Sequence, residues 1–142
     1  MKYFTPYELV SRAVFEKVGE NVFDLFDDDA LQALDDLREY FSCPIIVNNW
    51  HSGGEFQRRG FRTHAEQRAV NPKAMRSAHL YGKAFDCDIQ GHTAEQARHK
   101  IMSNQDSPLL CRIMRLEADV SWLHFDVLEL PKGIKRIHLF KA

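Results

Sequence analysis

Two short segments of the chain contain the residue types that bind metals and move protons. Residues 77–86 read Ser-Ala-His-Leu-Tyr-Gly-Lys-Ala-Phe-Asp, which places His79 and Asp86 seven positions apart across a glycine. Further along, residues 122–126 read Trp-Leu-His-Phe-Asp and place His124 in a segment that is typical of a strand. Two neutral imidazoles and a carboxylate are a natural ligand set for Zn²⁺, and they leave a fourth position for water. The spacing therefore indicates a catalytic zinc site, although each histidine could equally be a hydrogen-bonded core residue.

These two segments resemble a known family. The pattern Ser-x-His-x-x-Gly-x-Ala-x-Asp followed by Trp-x-His is similar to the zinc D-Ala-D-Ala carboxypeptidase and L-alanyl-D-glutamate peptidase family, which has the Hedgehog/DD-peptidase fold. The resemblance covers about residues 45–127, because a Gly-Phe-Arg element at 60–62 also precedes Ser77 at the usual interval. It implies that His79, Asp86 and His124 bind zinc. It also implies a phage-lysin-like peptidase that cleaves the peptide stems of bacterial peptidoglycan, as carboxypeptidase or endopeptidase, with metal-activated water.

The resemblance assigns substrate contacts to three more residues. Arg62 matches the arginine that stabilises a substrate oxygen, a role that suits a planar guanidinium. Ser77 matches a serine that bonds substrate near the zinc, and Trp122 is a candidate for the pocket wall. The alternatives are a surface arginine in an arginine-rich loop, a turn-forming serine and a core tryptophan.

The catalytic base is the point at which the sequence departs from the family pattern. Many members carry Glu or Asp three residues before the last histidine, and Ser121 occupies that position here. Glu117 is the first candidate for the base, because it ends the preceding strand and can face His124 across a hairpin. Asp119 in the hairpin loop is the second candidate. Asp126 shares a strand face with His124 and is expected to orient that ligand.

Two other functions remain open. Ser121 in place of a carboxylate favours a non-catalytic, zinc-stabilised module that binds cell wall or peptide on the same fold. A globular domain whose histidines and aspartate only pack together would hold no metal, and its thermal stability would not respond to a chelator.

Composition limits the class of protein. The chain has 142 residues, with 19 Lys and Arg against 20 Asp and Glu, and a formal net charge of −1. This length predicts one domain over 1–142, with N-terminal helices over 1–43 and the metal-site core over 44–142. The balanced charge argues against a nucleic-acid partner. No apolar run approaches the 18 or so residues of a membrane span, so no membrane partner is expected. The sequence does not indicate an oligomeric state.

The chain start and the cysteines bear on the cellular compartment. The first residues contain one lysine and no apolar stretch, so no signal peptide is expected. We therefore expect synthesis in the cytoplasm, which would suit a phage-encoded enzyme released to the periplasm or cell wall through a separate membrane lesion. The three cysteines include no Cys-x-x-Cys pair and are expected to be buried, reduced thiols.

The order of predicted helices and strands around the candidate site indicates an α+β fold with a mainly antiparallel sheet and flanking helices. Helices are predicted after a capping box of Thr5 and Glu8, over 29–41 and over 94–103. Strands are predicted over 45–47, 84–89, 110–116, 122–128 and 134–140, with a hairpin loop at 118–121. Residues 48–78 show no periodicity and contain five arginines, which favours a long functional loop.

Overall fold

Four helices and five strands follow one another along the chain, and the computed structural model describes all 142 residues. The helices are α1 (Arg12–Val18), α2 (Asp28–Phe41), α3 (His64–Val70) and α4 (Ala94–Ser103). The strands are β1 (Ile45–Ile46), β2 (Ala84–Ile89), β3 (Arg115–Glu117), β4 (Leu123–Asp126) and β5 (His138–Phe140). None of the helices combines the length and the apolar character that crossing a bilayer requires. The predicted α+β class is confirmed.

The five strands form one sheet in the order β1-β2-β4-β3-β5. All neighbours are antiparallel except β3 and β5, which are parallel. The register between β2 and β4 places Asp86 opposite His124 and Phe85 opposite Phe125. Because residues directly opposite each other in neighbouring strands point to the same side of a sheet, one side carries the Asp–His pair and the other carries the two phenylalanines.

The hydrophobic core lies on the phenylalanine side of the sheet. Phe85 and Phe125 are fully buried there, and helices α2 and α4 pack against the strands that carry them. Helix α2 begins where the Asp27 side chain accepts a hydrogen bond from the backbone N–H of Asp29, and it ends at Ser42 in a left-handed conformation. The polar side of the sheet is thereby left uncovered by α2 and α4, and the candidate site lies on it.

Several predicted boundaries are correct. Strand β2 and helix α4 cover the residues expected, and β3 and β4 form the antiparallel hairpin that was predicted around 118–121. The capping box of Thr5 and Glu8 is present, but it begins only a 3₁₀ turn at Pro6–Glu8. The first α-helix begins after Ser11, whose side chain accepts a hydrogen bond from the N–H of Val14.

Two predicted strands are much shorter than expected. Only the last residues of 110–116 and of 134–140 join the sheet, as β3 and β5. Residues Pro108–Leu110 form a 3₁₀ turn instead, and the guanidinium of Arg136 donates hydrogen bonds to the carbonyls of Ile113, Leu110 and Gln105. Those carbonyls are therefore satisfied by a side chain, and the apolar pattern around them packs into the core without strand pairing.

The prediction of a loop without structure over 48–78 is wrong in part. Helix α3 lies within it and begins at a capping box in which Thr63 and Glu66 bond each other's backbone N–H groups. The cysteine prediction is also wrong in part: Cys87 is buried, Cys43 is half-buried and Cys111 is exposed.

Candidate metal centre

His79 is held in place by a 3₁₀ turn at Ala78–Tyr81. The Ser77 hydroxyl accepts a hydrogen bond of 3.3 Å from the His79 backbone N–H, and Gly82 ends the turn with φ 65°. The imidazole is buried, and its Nδ1 lies 2.7 Å from the carbonyl oxygen of Gly60. A carbonyl oxygen can only accept, so Nδ1 carries the proton and Nε2 keeps its lone pair for a ligand.

The three predicted ligands come together on the polar side of the sheet. Oδ1 of Asp86 lies 3.3 Å from Nε2 of His79 and 2.7 Å from Nδ1 of His124. One donor atom from each residue lies within 4.8 Å of the other two, and all three residues are buried. Two ring nitrogens and one carboxylate oxygen therefore converge on one point, and this group can hold a metal ion.

A carboxylate behind His124 orients its ring. Nε2 of His124 lies 3.0 Å from Oδ2 of Asp126, which is fully buried at the end of β4. Arg115 holds that carboxylate with hydrogen bonds of 2.9 Å from Nε and 2.8 Å from Nη2, and its guanidinium lies 4.0 Å from the centre of the Phe140 ring. The ring of His124 is thus fixed with Nδ1 towards Asp86, as is common for a carboxylate behind a metal-binding histidine.

Arg62 fixes the second oxygen of Asp86. Its Nη2 donates to Oδ2 of Asp86 at 3.1 Å, its Nη1 to Gln67 at 2.9 Å and its Nε to the carbonyl of Arg58 at 2.6 Å. The side chain is buried, so it is not the surface arginine considered as an alternative. Three of its five N–H groups are used, and two are left for a substrate oxygen.

Burial and charge set the protonation of the site in the absence of metal. Burial raises the pKa of Asp86, but the two histidines outweigh burial and hold it well below its usual range. Burial lowers the pKa of His79, which keeps that ring neutral. Burial also lowers the pKa of His124, but hydrogen bonds to Asp126 and Asp86 outweigh it and raise that pKa to about 9. The metal-free site therefore holds one proton on Nδ1 of His124, where a metal would bind.

Glu117 faces the ligands from β3. It lines the cleft above them together with Arg62, and the cleft has a volume of about 440 Å³. Burial raises the pKa of Glu117, while the nearby His124 lowers it and Asp86 raises it further. A carboxyl group with a raised pKa beside a metal site is suited to accept a proton and return it. Ser121 is exposed and does not line this cleft.

Of the other predicted site residues, Ser77 and Trp122 line the cleft and Asp119 does not. Asp119 is exposed, lies 3.2 Å from Nζ of Lys141 and does not line the cleft. Ser77 lines the cleft, but its hydroxyl also caps the turn that carries His79. Trp122 lines the cleft with 36% of its surface exposed, so it belongs to the wall and not to the core.

Arg98 on α4 holds the loop between β3 and β4 and was not predicted from the sequence. Its guanidinium donates to the carbonyls of Glu117 at 3.3 Å, Val120 at 3.0 Å and Trp122 at 3.1 Å. The side chain is buried, which is unusual for an arginine on a short helix. Its position three residues before the buried Ile101, on the same helix face, was the available signal.

Comparisons of the chain with protein-family models, with curated proteins and with solved structures gave no match. Functional inference therefore depends on the residues of the site and on the motif that they form. The site combines three convergent donor atoms, a carboxyl group with a raised pKa and a guanidinium that retains two N–H groups.

Proposed function

We propose that this protein is a zinc-dependent peptidase that cleaves the peptide stems of bacterial peptidoglycan. The observation that carries the proposal is the convergence of His79, Asp86 and His124 in a cleft, with their donor atoms within 4.8 Å of one another. Catalytic zinc sites typically use three protein ligands and keep the fourth position for water or substrate.

The donor set favours a transition metal such as zinc over Mg²⁺ and Ca²⁺. Imidazole nitrogens suit Zn²⁺, Cu²⁺, Fe²⁺ and Ni²⁺, whereas Mg²⁺ and Ca²⁺ favour oxygen ligands alone. The hydrogen bonds from His79 to Gly60 and from His124 to Asp126 hold each ring with one nitrogen towards the ligand point. Such outer hydrogen bonds are usual for histidines that bind zinc.

The protein residues around the ligands supply the remaining chemistry. Bound zinc would activate water and polarise the carbonyl of the peptide bond. Glu117 would accept a proton from the attacking water and deliver it to the leaving amine, a task that its raised pKa favours. The two N–H groups that Arg62 keeps free would stabilise the oxygen that gains negative charge. Asp119 does not line the cleft, so we prefer Glu117 as the base.

The substrate class rests on the resemblance of the motif, with support from charge. Stem peptides carry carboxylates, and the exposed Arg76, which forms no ion pair within the chain, lines the metal cleft. A free guanidinium there would attract an anionic substrate.

The test is to incubate zinc-loaded protein with purified peptidoglycan, with and without a chelator, and to analyse the soluble products by mass spectrometry. We expect new peptide ends that disappear on chelation. The variants His79→Ala and His124→Ala should lose both zinc and products, whereas His64→Ala, an exposed histidine at the start of α3, should keep both. Tight zinc binding by both ligand variants would show that the assigned centre is wrong.

A second function is favoured by Ser121, which stands where many members of the resembled family carry a carboxylate. In this case the protein would bind zinc and cell-wall peptide without turnover. Co-sedimentation with peptidoglycan, without any products from protein that holds one zinc, would support this binding module over the peptidase.

A further inference from the structure

The loop between β3 and β4 joins the proposed base to a candidate metal ligand. The last residue pair of the two strands is Leu116 with Phe125, and Glu117 and His124 are the next residue on each strand. Residues 118–122 connect the two strands beyond that point. The conformation of this loop therefore helps to set the distance between the carboxyl group of Glu117 and the metal centre.

The loop has few main-chain hydrogen bonds of its own. The backbone groups of Asp119, Val120 and Ser121 bond to no other backbone group. Asp119 also adopts a left-handed conformation with φ 63°, which is unfavourable for a residue that has a Cβ. Such a segment keeps one conformation only when surrounding groups hold it there.

Arg98 supplies that support from the helix layer on the core side of the sheet. Its guanidinium donates to the carbonyls of Glu117, Val120 and Trp122 at 3.3, 3.0 and 3.1 Å. A single planar group thus ties together both ends of the loop and its middle. The fixed fork of donors in a guanidinium allows this, whereas the ammonium of a lysine is a single point donor.

The loop carbonyls also account for the burial of Arg98. The Arg98 side chain is 6% exposed, and its one ion pair is with Glu95, which is 80% exposed. An ion pair with so exposed a partner contributes little stability. The hydrogen bonds to the loop are therefore the main compensation for burying the guanidinium, and loop and arginine hold each other in place.

We propose that Arg98 is a positioning residue for the reaction. By fixing the loop, it holds the carboxyl group of Glu117 where that group can take a proton from water at the metal. This inference rests on the proposed peptidase function and adds to it a residue that does not line the metal cleft. Loss of the guanidinium should slow the chemical step and leave zinc binding unchanged.

The test is a double-mutant cycle of Arg98→Met and Glu117→Gln, with kcat and KM measured on soluble peptidoglycan fragments and zinc content checked in each protein. Arg98→Met should lower kcat about 100-fold, because a displacement of about 1 Å can cost that much. Its KM should stay within about threefold of the parent value, since the interaction lost acts in the transition state. In the Glu117→Gln background the same change should alter kcat less than about threefold, because no base is left to displace. Losses of equal size in both backgrounds, or a raised KM with a normal kcat, would overturn the inference.

Arg136→Met is the matched control. Arg136 also donates to three backbone carbonyls, but it does not line the cleft. This variant should lower the melting temperature and leave kcat within about threefold of the parent value. An equal loss of kcat in both methionine variants would mean that Arg98 acts only through general stability.

Arg98→Lys serves if Arg98→Met does not fold. It keeps the charge but reaches fewer carbonyls, so kcat should still fall at least about tenfold. A normal kcat in Arg98→Lys or Arg98→Met, with a parent protein that cleaves, would refute the positioning role alone. A parent protein that holds one zinc and yields no products would refute the peptidase proposal and this inference together.

Discussion

Zinc binding to the metal-free protein should release one proton, and His124 is its source. The ring lies between two carboxylates, with Nδ1 2.7 Å from Asp86 and Nε2 3.0 Å from Asp126. Both nitrogens therefore carry protons when no metal is present, and the one on Nδ1 must leave before that atom can bind zinc. His79 adds no proton, because burial lowers its pKa.

The expected size of the effect follows from the pKa of about 9 for His124. At pH 7.5 nearly every molecule carries the extra proton, whereas an ordinary histidine with a pKa of about 6.5 would be protonated in about a tenth of molecules. The apparent zinc affinity should then rise about tenfold per pH unit and level off near pH 9, where half of the molecules still carry the proton. Between pH 7.5 and 9 this amounts to about 16-fold, or about 1.6 kcal/mol.

The assay is isothermal titration calorimetry at pH 7.5 in two buffers of different ionisation enthalpy, with a competing chelator. Asp126→Asn is the informative variant, because its amide oxygen still accepts a hydrogen bond from Nε2 but has no charge to raise the pKa of His124. It should release clearly less than one proton, while the exposed-site variant His64→Ala should match the parent. Release of only about a tenth of a proton by the parent, or a flat affinity between pH 7.5 and 9, would refute the reasoning.

Three further predictions concern stability. Because the pKa of His124 is higher in the folded than in the unfolded protein, its contribution to the free energy of unfolding is complete below about pH 6.5 and is lost as pH rises to about 9. Urea titration of metal-free protein should show that the free energy of unfolding falls by about 3 kcal/mol over this range, and zinc-loaded protein should not show this fall. Gly82→Ala should lower the free energy of unfolding by more than about 2 kcal/mol, because φ is 65° and the new Cβ would collide with the carbonyl oxygen of Leu25. Gly133→Ala is the control: φ is 87° but the space is open, so only the backbone strain of about 1 kcal/mol is expected. Equal losses of stability in the two variants would disprove the steric explanation. Arg98→Met should speed hydrogen exchange in the loop between β3 and β4 without changing zinc affinity, and unchanged exchange would show that the arginine does not hold that loop.

The parts of the fold that could be predicted are those set by short-range signals. Strand β2 alternates polar and apolar residues, and helix α4 begins at a Thr93–Gln96 capping box, so both elements were found with correct bounds. The candidate ligands His79, Asp86 and His124 were identified from the spaced motif and from its resemblance to a known family. Their convergence in the structure agrees with the spacing of the motif.

The parts that could not be predicted depend on long-range contacts. Arg136 satisfies carbonyls that lie 23 to 31 positions away, and an apolar pattern alone does not distinguish such a segment from a strand. Arg62 reaches Asp86 from 24 positions away, so its structural role is invisible in the local sequence. The same is true of Arg98, whose partners lie in a loop that follows a separate strand.

The pairing of β2 with β4 links assembly of the candidate metal centre to correct folding of the core. A shift of β2 by a single residue would turn Phe85 into the cleft and push Asp86 into the apolar interior, because neighbouring residues of a strand point to opposite sides. Burial of an unpaired carboxylate costs several kcal/mol, so such a misaligned sheet is not stable. Any chain that packs its core correctly has therefore already brought Asp86 to His124, and alignment of these two candidate ligands needs no metal as a template.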